Sequence, residues 1–457
     1  MTWNRMPLAL LAAAWLGTAP ASAQEWRQYA TPAAAGFSSE GLAAVRAYAD
    51  SVRSAAVLAV HRGHVVVAWG DVARRIPAHS VRKSLVSALY GASGVALDAS
   101  LGELGIDDDA GLTATEKSAR VRDVLAARSG VYLPAAYAPA EQDSARPARG
   151  SHAPGTHWFY NNWDFNVAGV IYERVTGMDV YEAFDSLIAR PTGMEDYSPE
   201  DGFVVLEPGN SRHPAHTFAV SARDLARFGQ LYLQEGRWQG RQVVPSAWVH
   251  ESTTAHSDFG NGTGYGYMWW TYGAGSLGPN YPTLDRYDLY MGRGTGGQAV
   301  IVVPGAEFVF VHRGDTENGR PVSGVHVWTI AERILAARDR EPDPSPATMP
   351  LTASPFASQL PEPSPPRFLS LGRAALKRLA GSYEVAPGNV VRVFVHDGRP
   401  FINVPGQGEA EMFALSEEEF TIRVQAGVGI RFERDAAGSV TGIVLTLGRE
   451  QIRGRRL

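Results

Sequence analysis

Apolar positions along this chain change their period several times, and each change predicts an element. From Ser38 to Arg53, the residues Leu42, Val45, Tyr48 and Val52 recur at the spacing of an amphipathic helix. Ala55 to Trp69 carries two β-branched runs either side of Arg62-Gly63 and predicts a hairpin. His61 and His64 fall on it, and strand or turn placement accounts for them without a metal. Helical spacing governs Val81 to Leu101, Ala119 to Ala127, Phe165 to Thr176 and Ala222 to Leu233. Alternating apolar runs return from Gln298 to Val311. Strands at both ends of a helical stretch predict one α/β domain over residues 24–340, with a sheet that pairs distant segments, flanking helices and a helical subdomain.

The pattern breaks after Arg338. Residues 341–370 are rich in Pro, Ser and Ala and predict an extended linker. Residues 371–457 hold short alternating runs with turns at Asp397-Gly398 and Ala437-Gly438, which predicts a small antiparallel β-barrel or sandwich. At the other end, Arg5, the apolar stretch Met6 to Gly17 and the pattern Ala21-Ser22-Ala23 predict a signal peptide over residues 1–23, cleaved before Gln24. The apolar stretch is too short to span a bilayer. The expected product is periplasmic or secreted, with no membrane anchor.

Composition narrows the chemistry. A net charge of −5 with no Lys/Arg block argues against nucleic acid as a partner and against an anionic membrane surface. The chain has no cysteine, so disulfides, thiolate catalysis and a lipid-modified N-terminal cysteine are all excluded. No Gly-x-Ser-x-Gly elbow occurs, which removes the α/β-hydrolase reading. His213 and His216 are three apart but separated by Pro214, and no His-Glu-x-x-His helix accompanies them, so they are poor zinc candidates.

Three clusters carry candidate chemistry. Ser80-Val81-Arg82-Lys83 puts a hydroxyl and an amine one helical turn apart at a helix N-terminus, where free N–H groups favour a developing alkoxide. A desolvated Lys83 would be a neutral base. This is the only Ser-x-x-Lys in a chain with three lysines. Tyr160-Asn161-Asn162 ends a loop ahead of a helix; its Tyr could serve as phenolate or proton relay and its Asn as partner to the lysine or a substrate amide. Gly292-Arg293-Gly294-Thr295-Gly296-Gly297-Gln298 enters a strand, where glycines permit close backbone approach. An N–H there would join that of Ser80 in an oxyanion hole, with Gly294, Thr295 and Gly296 as the candidate donors. Each cluster alone also reads as a helix cap, a packed aromatic or a plain turn.

In this order, Ser-x-x-Lys, Tyr-x-Asn and a Gly-rich strand entry, the clusters resemble the superfamily of serine β-lactamases, DD-peptidases and family VIII esterases. The stretches RVRDVLAARSGV, PGTHWFYNN, VSARDLARFGQLYLQEGRWQGRQVVPSAWV and GTGGQAVIVVP extend the resemblance from about Phe37 to Leu335. It implies a β-lactamase/transpeptidase-like fold, an antiparallel sheet flanked by helices plus a helical subdomain, followed here by a small barrel-like domain. It implies Ser80, Lys83 and Tyr160 as catalytic residues, Asn162 as their polar partner, and no metal or organic cofactor. The implied substrate is a small ester, amide or peptide, β-lactams and D-amino-acid peptides included. One departure stands out: relatives carry Lys-Thr-Gly or His-x-Gly at the third cluster, where this chain has Gly292-Arg293-Gly294. Arg293 is the cation that could replace the missing Lys or His, and the departure favours esters or small amides over β-lactams. The rival class is a sensor or binding protein on the same fold. The loop Val131 to His157 and the segment Phe259 to Tyr290 are expected to shape the pocket, with Trp269, Trp270 and Tyr290 as lining or core.

Overall fold

The computed structural model describes residues 25–359, 367–405, 408–423 and 427–457. The expected signal peptide lies outside them, as do residues 360–366 of the Pro-rich stretch.

A ten-stranded sheet organises the first domain. In chain order its strands are β1 (Arg27–Tyr29), β2 (Ser54–His61), β3 (His64–Gly70), β4 (Ser257–Asp258), β5 (Thr263–Tyr265), β6 (Trp270–Tyr272), β7 (Leu289–Gly294), β8 (Gln298–Val303), β9 (Phe308–Gly314) and β10 (Thr348–Pro350). In space they run β4-β5-β6-β7-β8-β9-β2-β3-β1-β10, antiparallel except where β1 meets β3. The early hairpin thus closes against a strand more than two hundred residues later, Leu58 facing Val311. Strands β2, β8 and β9 are buried along their whole length, which is why they read as near-continuous apolar runs.

Helices cover both faces. On one, α1 (Ser39–Ser51) packs with the C-terminal helix Gly324–Ala336 over Val57, Ala59 and Phe310. On the other, α2 (Arg82–Ser93), α3 (Asn162–Thr176) and α4 (Ala222–Leu233) share a core with Leu58, Val300 and Val309. Gly229 lets α4 lie flat on the sheet, since a Cβ there would come within 2.5 Å of the Val309 side chain.

Helix limits depart from the periodicity at identifiable caps. The helix expected from Val81 to Leu101 stops at Ser93, because Gly94 turns left-handed (φ 63°) and returns its N–H to Tyr90 and Gly91. The helix expected over Ala119 to Ala127 shrinks to Val121–Leu125. The helix expected from Phe165 begins at Asn162, capped by the Asn161 side chain, which accepts from the Trp163 N–H at 3.2 Å.

The Pro-rich stretch is not a free spacer in its described part. Its β10 pairs with β1, Ser354 N–H donates to Ala68 O at 2.9 Å, and Phe356 is buried against Gly70. Prolines 350 and 355 suit an edge, where a missing N–H costs no ladder bond. Beyond it, eight antiparallel strands from Gly381 to Arg456 close into a barrel, the last returning to the first through Tyr383 and Arg456. The Asp397-Gly398 turn takes the two positive φ values (46° and 80°) that a tight hairpin requires. The barrel docks through a polar, buried contact. Glu411 accepts from the Val204 N–H at 2.6 Å and from Arg399 at 3.0 Å, and Phe203 meets the edge of Phe413. Among the described residues no helix is long and apolar enough to cross a membrane.

His312 in the central strand β9 donates from Nδ1 to Gly297 O at 2.6 Å and accepts at Nε2 from the Ser54 hydroxyl at 2.9 Å, so its neutral form is fully satisfied. Burial pushes its pKa down from 6.5 to about 4, and His61 on β2 is held to about 4 by the same cause. The stability they contribute is complete above pH ~6.5 and is lost as pH falls toward about 4. The urea midpoint is therefore expected to drop between pH 7 and pH 4.5, and the drop should shrink in His312→Gln; equilibrium unfolding at several pH values checks this.

Candidate active site

The nucleophile candidate sits on a turn held from three sides. After the short strand Ile76–Pro77, the chain makes a 3₁₀ turn over His79–Val81 and enters α2. His79 is left-handed (φ 47°), a strained conformation for a residue with a Cβ. Its ring is fixed by the Tyr137 hydroxyl at 2.6 Å on Nδ1 and by Thr316 Oγ1 at 2.9 Å on Nε2. The buried Arg313 guanidinium donates to the carbonyls of Ile76 and Pro77 just upstream.

Ser80 Oγ lies 2.8 Å from Lys83 Nζ. Lys83 is only 2% exposed, and its amine faces the rings of Tyr160 at 4.6 Å and Phe165 at 4.7 Å. Burial, reinforced by the adjacent Arg82 charge, drives the Lys83 pKa well below its usual value. The Tyr160 hydroxyl hydrogen-bonds Ser80. Burial raises its pKa, and the Ser80 bond with the charges of Arg82 and Arg293 only partly opposes this. Tyr160 is therefore a neutral phenol at ordinary pH, suited to relaying a proton rather than to acting as a phenolate. The two shifts run in opposite directions: burial favours the free amine of the lysine and the protonated phenol of the tyrosine.

The third cluster reaches the same place from the sheet. Strand β6 pairs with β7 only as far as Met291, so Gly292 to Gly294 run past it with their β6-side edge open. A Cβ on Gly294 would stand 2.6 Å from Ala78 O and 2.9 Å from Ser80 N, so only glycine fits against the Ser80 amide. The amides of Ser80 and of the following Thr295 donate to no carbonyl in the turns and loops described. Gly296 turns away: its φ is 75° and a Cβ there would meet Thr316. Arg293 is exposed, lies over the Trp270 ring at 4.9 Å and hydrogen-bonds the Tyr272 side chain.

Asn162 is beside the site, but its Nδ2 donates to Tyr137 O at 2.5 Å, leaving its buried Oδ1 without a partner. Of the expected lining residues, Trp270 stacks on Tyr160 (5.5 Å between centroids) and, with Trp158 and Phe259, forms an aromatic wall. Trp269 and Tyr290 turn into the core against Tyr232. His213 and His216 lie on a buried strand, where His213 Nε2 meets Asp107 O at 2.9 Å. Among the described residues no cluster of three or more His, Asp or Glu side chains could hold a metal ion.

The β-lactamase family model matches residues 42–312, more than half of the chain and all three clusters. The chain belongs to the β-lactamase family. It is 41% identical to Esterase EstB of Burkholderia gladioli over 96 residues, 21% of this chain and 23% of the esterase, so the match spans less than a quarter of that relative. Among solved structures, it resembles the octameric penicillin-binding protein homologue from Pyrococcus abyssi (16% identity, TM-score 0.48, 91% of this chain and 99% of that one). It also resembles EstCE1, a hydrolase with promiscuous acyltransferase activity (16% identity, TM-score 0.46, 65% and 97%).

Several residues of this family member's site escaped the sequence reading. His79, Tyr137 and the pair Arg313 and Thr316 come from three separate stretches of chain and carry no local motif. Arg82 lay inside the first motif, and its burial had one legible hint: it shares a helix face with Val86 and Leu89. The Gly294 contact yields a direct test. In Gly294→Ala the methyl must displace β7 from the Ser80 amide, so acylation of Ser80 by p-nitrophenyl acetate, followed by intact mass, is expected to slow about 10²-fold with the fold retained by circular dichroism.

Proposed function

We propose that the protein is an exported serine hydrolase that opens an ester or amide carbonyl through an acyl-enzyme on Ser80. The observation that carries this reading is the 2.8 Å Ser80–Lys83 contact, made by an amine buried away from any carboxylate. A free amine takes the hydroxyl proton as Oγ attacks the carbonyl carbon. Tyr160, bonded to Ser80, passes a proton to the leaving alkoxide or amine, and the same relay activates the water that releases the acid. The oxyanion is held by the N–H of Ser80 and by that of Thr295, between Gly294 and Gly296. Charges on Arg82, Arg293 and Arg313 add a positive field around that oxygen.

Substrate contacts follow from what the site leaves unpaired. The free Oδ1 of Asn162 accepts an N–H from an amide substrate. Arg293, at the mouth over Trp270, takes an anionic group, and the wall of Trp158, Phe259 and Trp270 takes an apolar acyl chain. Small esters fit these contacts best, with β-lactams and D-amino-acid peptides as the further members of the class. The partial match to an esterase favours the same order. No metal or organic cofactor enters the scheme, and export rests on residues 1–23.

The protein lacking residues 1–23 is expected to hydrolyse p-nitrophenyl acetate and butyrate faster than nitrocefin and to show an acyl adduct by intact mass. Ser80→Ala should abolish both turnover and adduct. Tyr160→Phe should retain the adduct while lowering kcat about 10²- to 10⁴-fold. Absence of turnover and adduct in the folded wild type would replace this reading with that of a binding protein.

A further inference from the structure

Arg82 is 1% exposed, yet among the described residues no carboxylate pairs with it. Its Nη2 donates to Asn166 Oδ1 at 2.7 Å, Asn166 Nδ2 donates in turn to Ala136 O at 2.9 Å, and Arg82 Nε is buried without a partner. The groups that face it are the phenols of Tyr137 and Tyr160 from two loops, Tyr181 from the helix Val180–Phe184 and Tyr265 from β5. Lys83 shares its helix, Ser80 and His79 lie on the turn before it, and Arg293 acts on Tyr160 from the far side. The nearest buried carboxyl along α3, Asp164, is turned to Ser129 and Asn161, and burial raises its pKa well above the usual carboxylate range. Among the described residues, the groups that act on Arg82 besides burial are tyrosines, with no carboxylate among them.

A buried, uncompensated cation is costly, and two side by side are more so. The two differ in what they can do about it. A guanidinium keeps its proton in any protein environment, whereas an ammonium gives its proton up when desolvated. The relief must therefore come from Lys83. We propose that Arg82 is a positioning residue: a fixed buried charge that keeps Lys83 unprotonated, so that the Ser80–Lys83 pair is ready to accept a proton before substrate arrives. This rests on the reading of Lys83 as the base for Ser80. It also explains why an arginine occupies this place of the motif, since a lysine there would shed its own proton and the effect with it.

The test is the pH dependence of kcat/KM for p-nitrophenyl butyrate in wild type, Arg82→Gln and Asn166→Asp, with Ser80→Ala alongside. Arg82→Gln keeps a donor for Asn166 but removes the charge. Asn166→Asp leaves Arg82 in place and neutralises it with a carboxylate, so it carries the test if Arg82→Gln does not fold. Both variants are expected to move the acidic limb upward by about one pH unit or more, with low activity at pH 7 recovered near pH 9. A lowered rate with the limb unmoved would assign Arg82 a packing role only and overturn the inference while leaving the hydrolase reading intact. Turnover surviving in Ser80→Ala would instead overturn the reading of Ser80 and Lys83 themselves.

Discussion

An ammonium at Lys83 would stand among aromatic rings, beside a second buried cation, with no carboxylate to meet it. That arrangement favours the free amine strongly, and the geometry around Ser80 follows from it. A neutral amine accepts a proton from a hydroxyl 2.8 Å away, and a tyrosine in the same pocket remains a phenol able to pass one on. The aromatic shell is thus more than packing. Phe165, Tyr160 and Tyr265 exclude the water and counter-charge that would let Lys83 ionise.

Holding Ser80 in that shell needs parts of the chain that are far apart. Helix α2 supplies Lys83, but the strained turn before it, which carries Ser80, is held by Tyr137 from one loop, Thr316 from another and Arg313 from β9. Strand β7 supplies the opposite wall, at a distance only a glycine permits. Left-handed residues cluster here: His79, Tyr137 and Met268 all have positive φ, and the Met268 carbonyl accepts from Ser84 on α2. Each is over-determined by hydrogen bonds, as strained backbone at a functional site must be.

The C-terminal barrel is tied to the same region. Arg423 of the barrel donates to Asp201 O at 2.8 Å and lies 3.9 Å from Glu317, the residue after Thr316 that braces His79. A buried Arg–Glu contact is geometrically demanding and so fixes orientation. The strap of residues 348–359 along β1 and β3 is a second tie to the first domain.

The sequence by itself determined the class of fold and marked the candidate residues of the site. Ser-x-x-Lys needs only one helical turn to bring its ends together, so its geometry was legible in four letters. The β2–β3 hairpin was equally legible, because Arg62-Gly63 sits between two β-branched runs, and the barrel hairpin at Asp397-Gly398 was marked in the same way. Tertiary structure decided what local pattern cannot encode. It placed Tyr160 on Ser80 across eighty residues, chose Gly294 as the contact to the nucleophile among several glycines, and sent Trp270 to the pocket but Trp269 to the core. It also buried Arg82 without a partner. The physical reason is common to all four: burial, desolvation and close approach depend on which distant segments meet, and a periodicity of two or four residues contains no information about that.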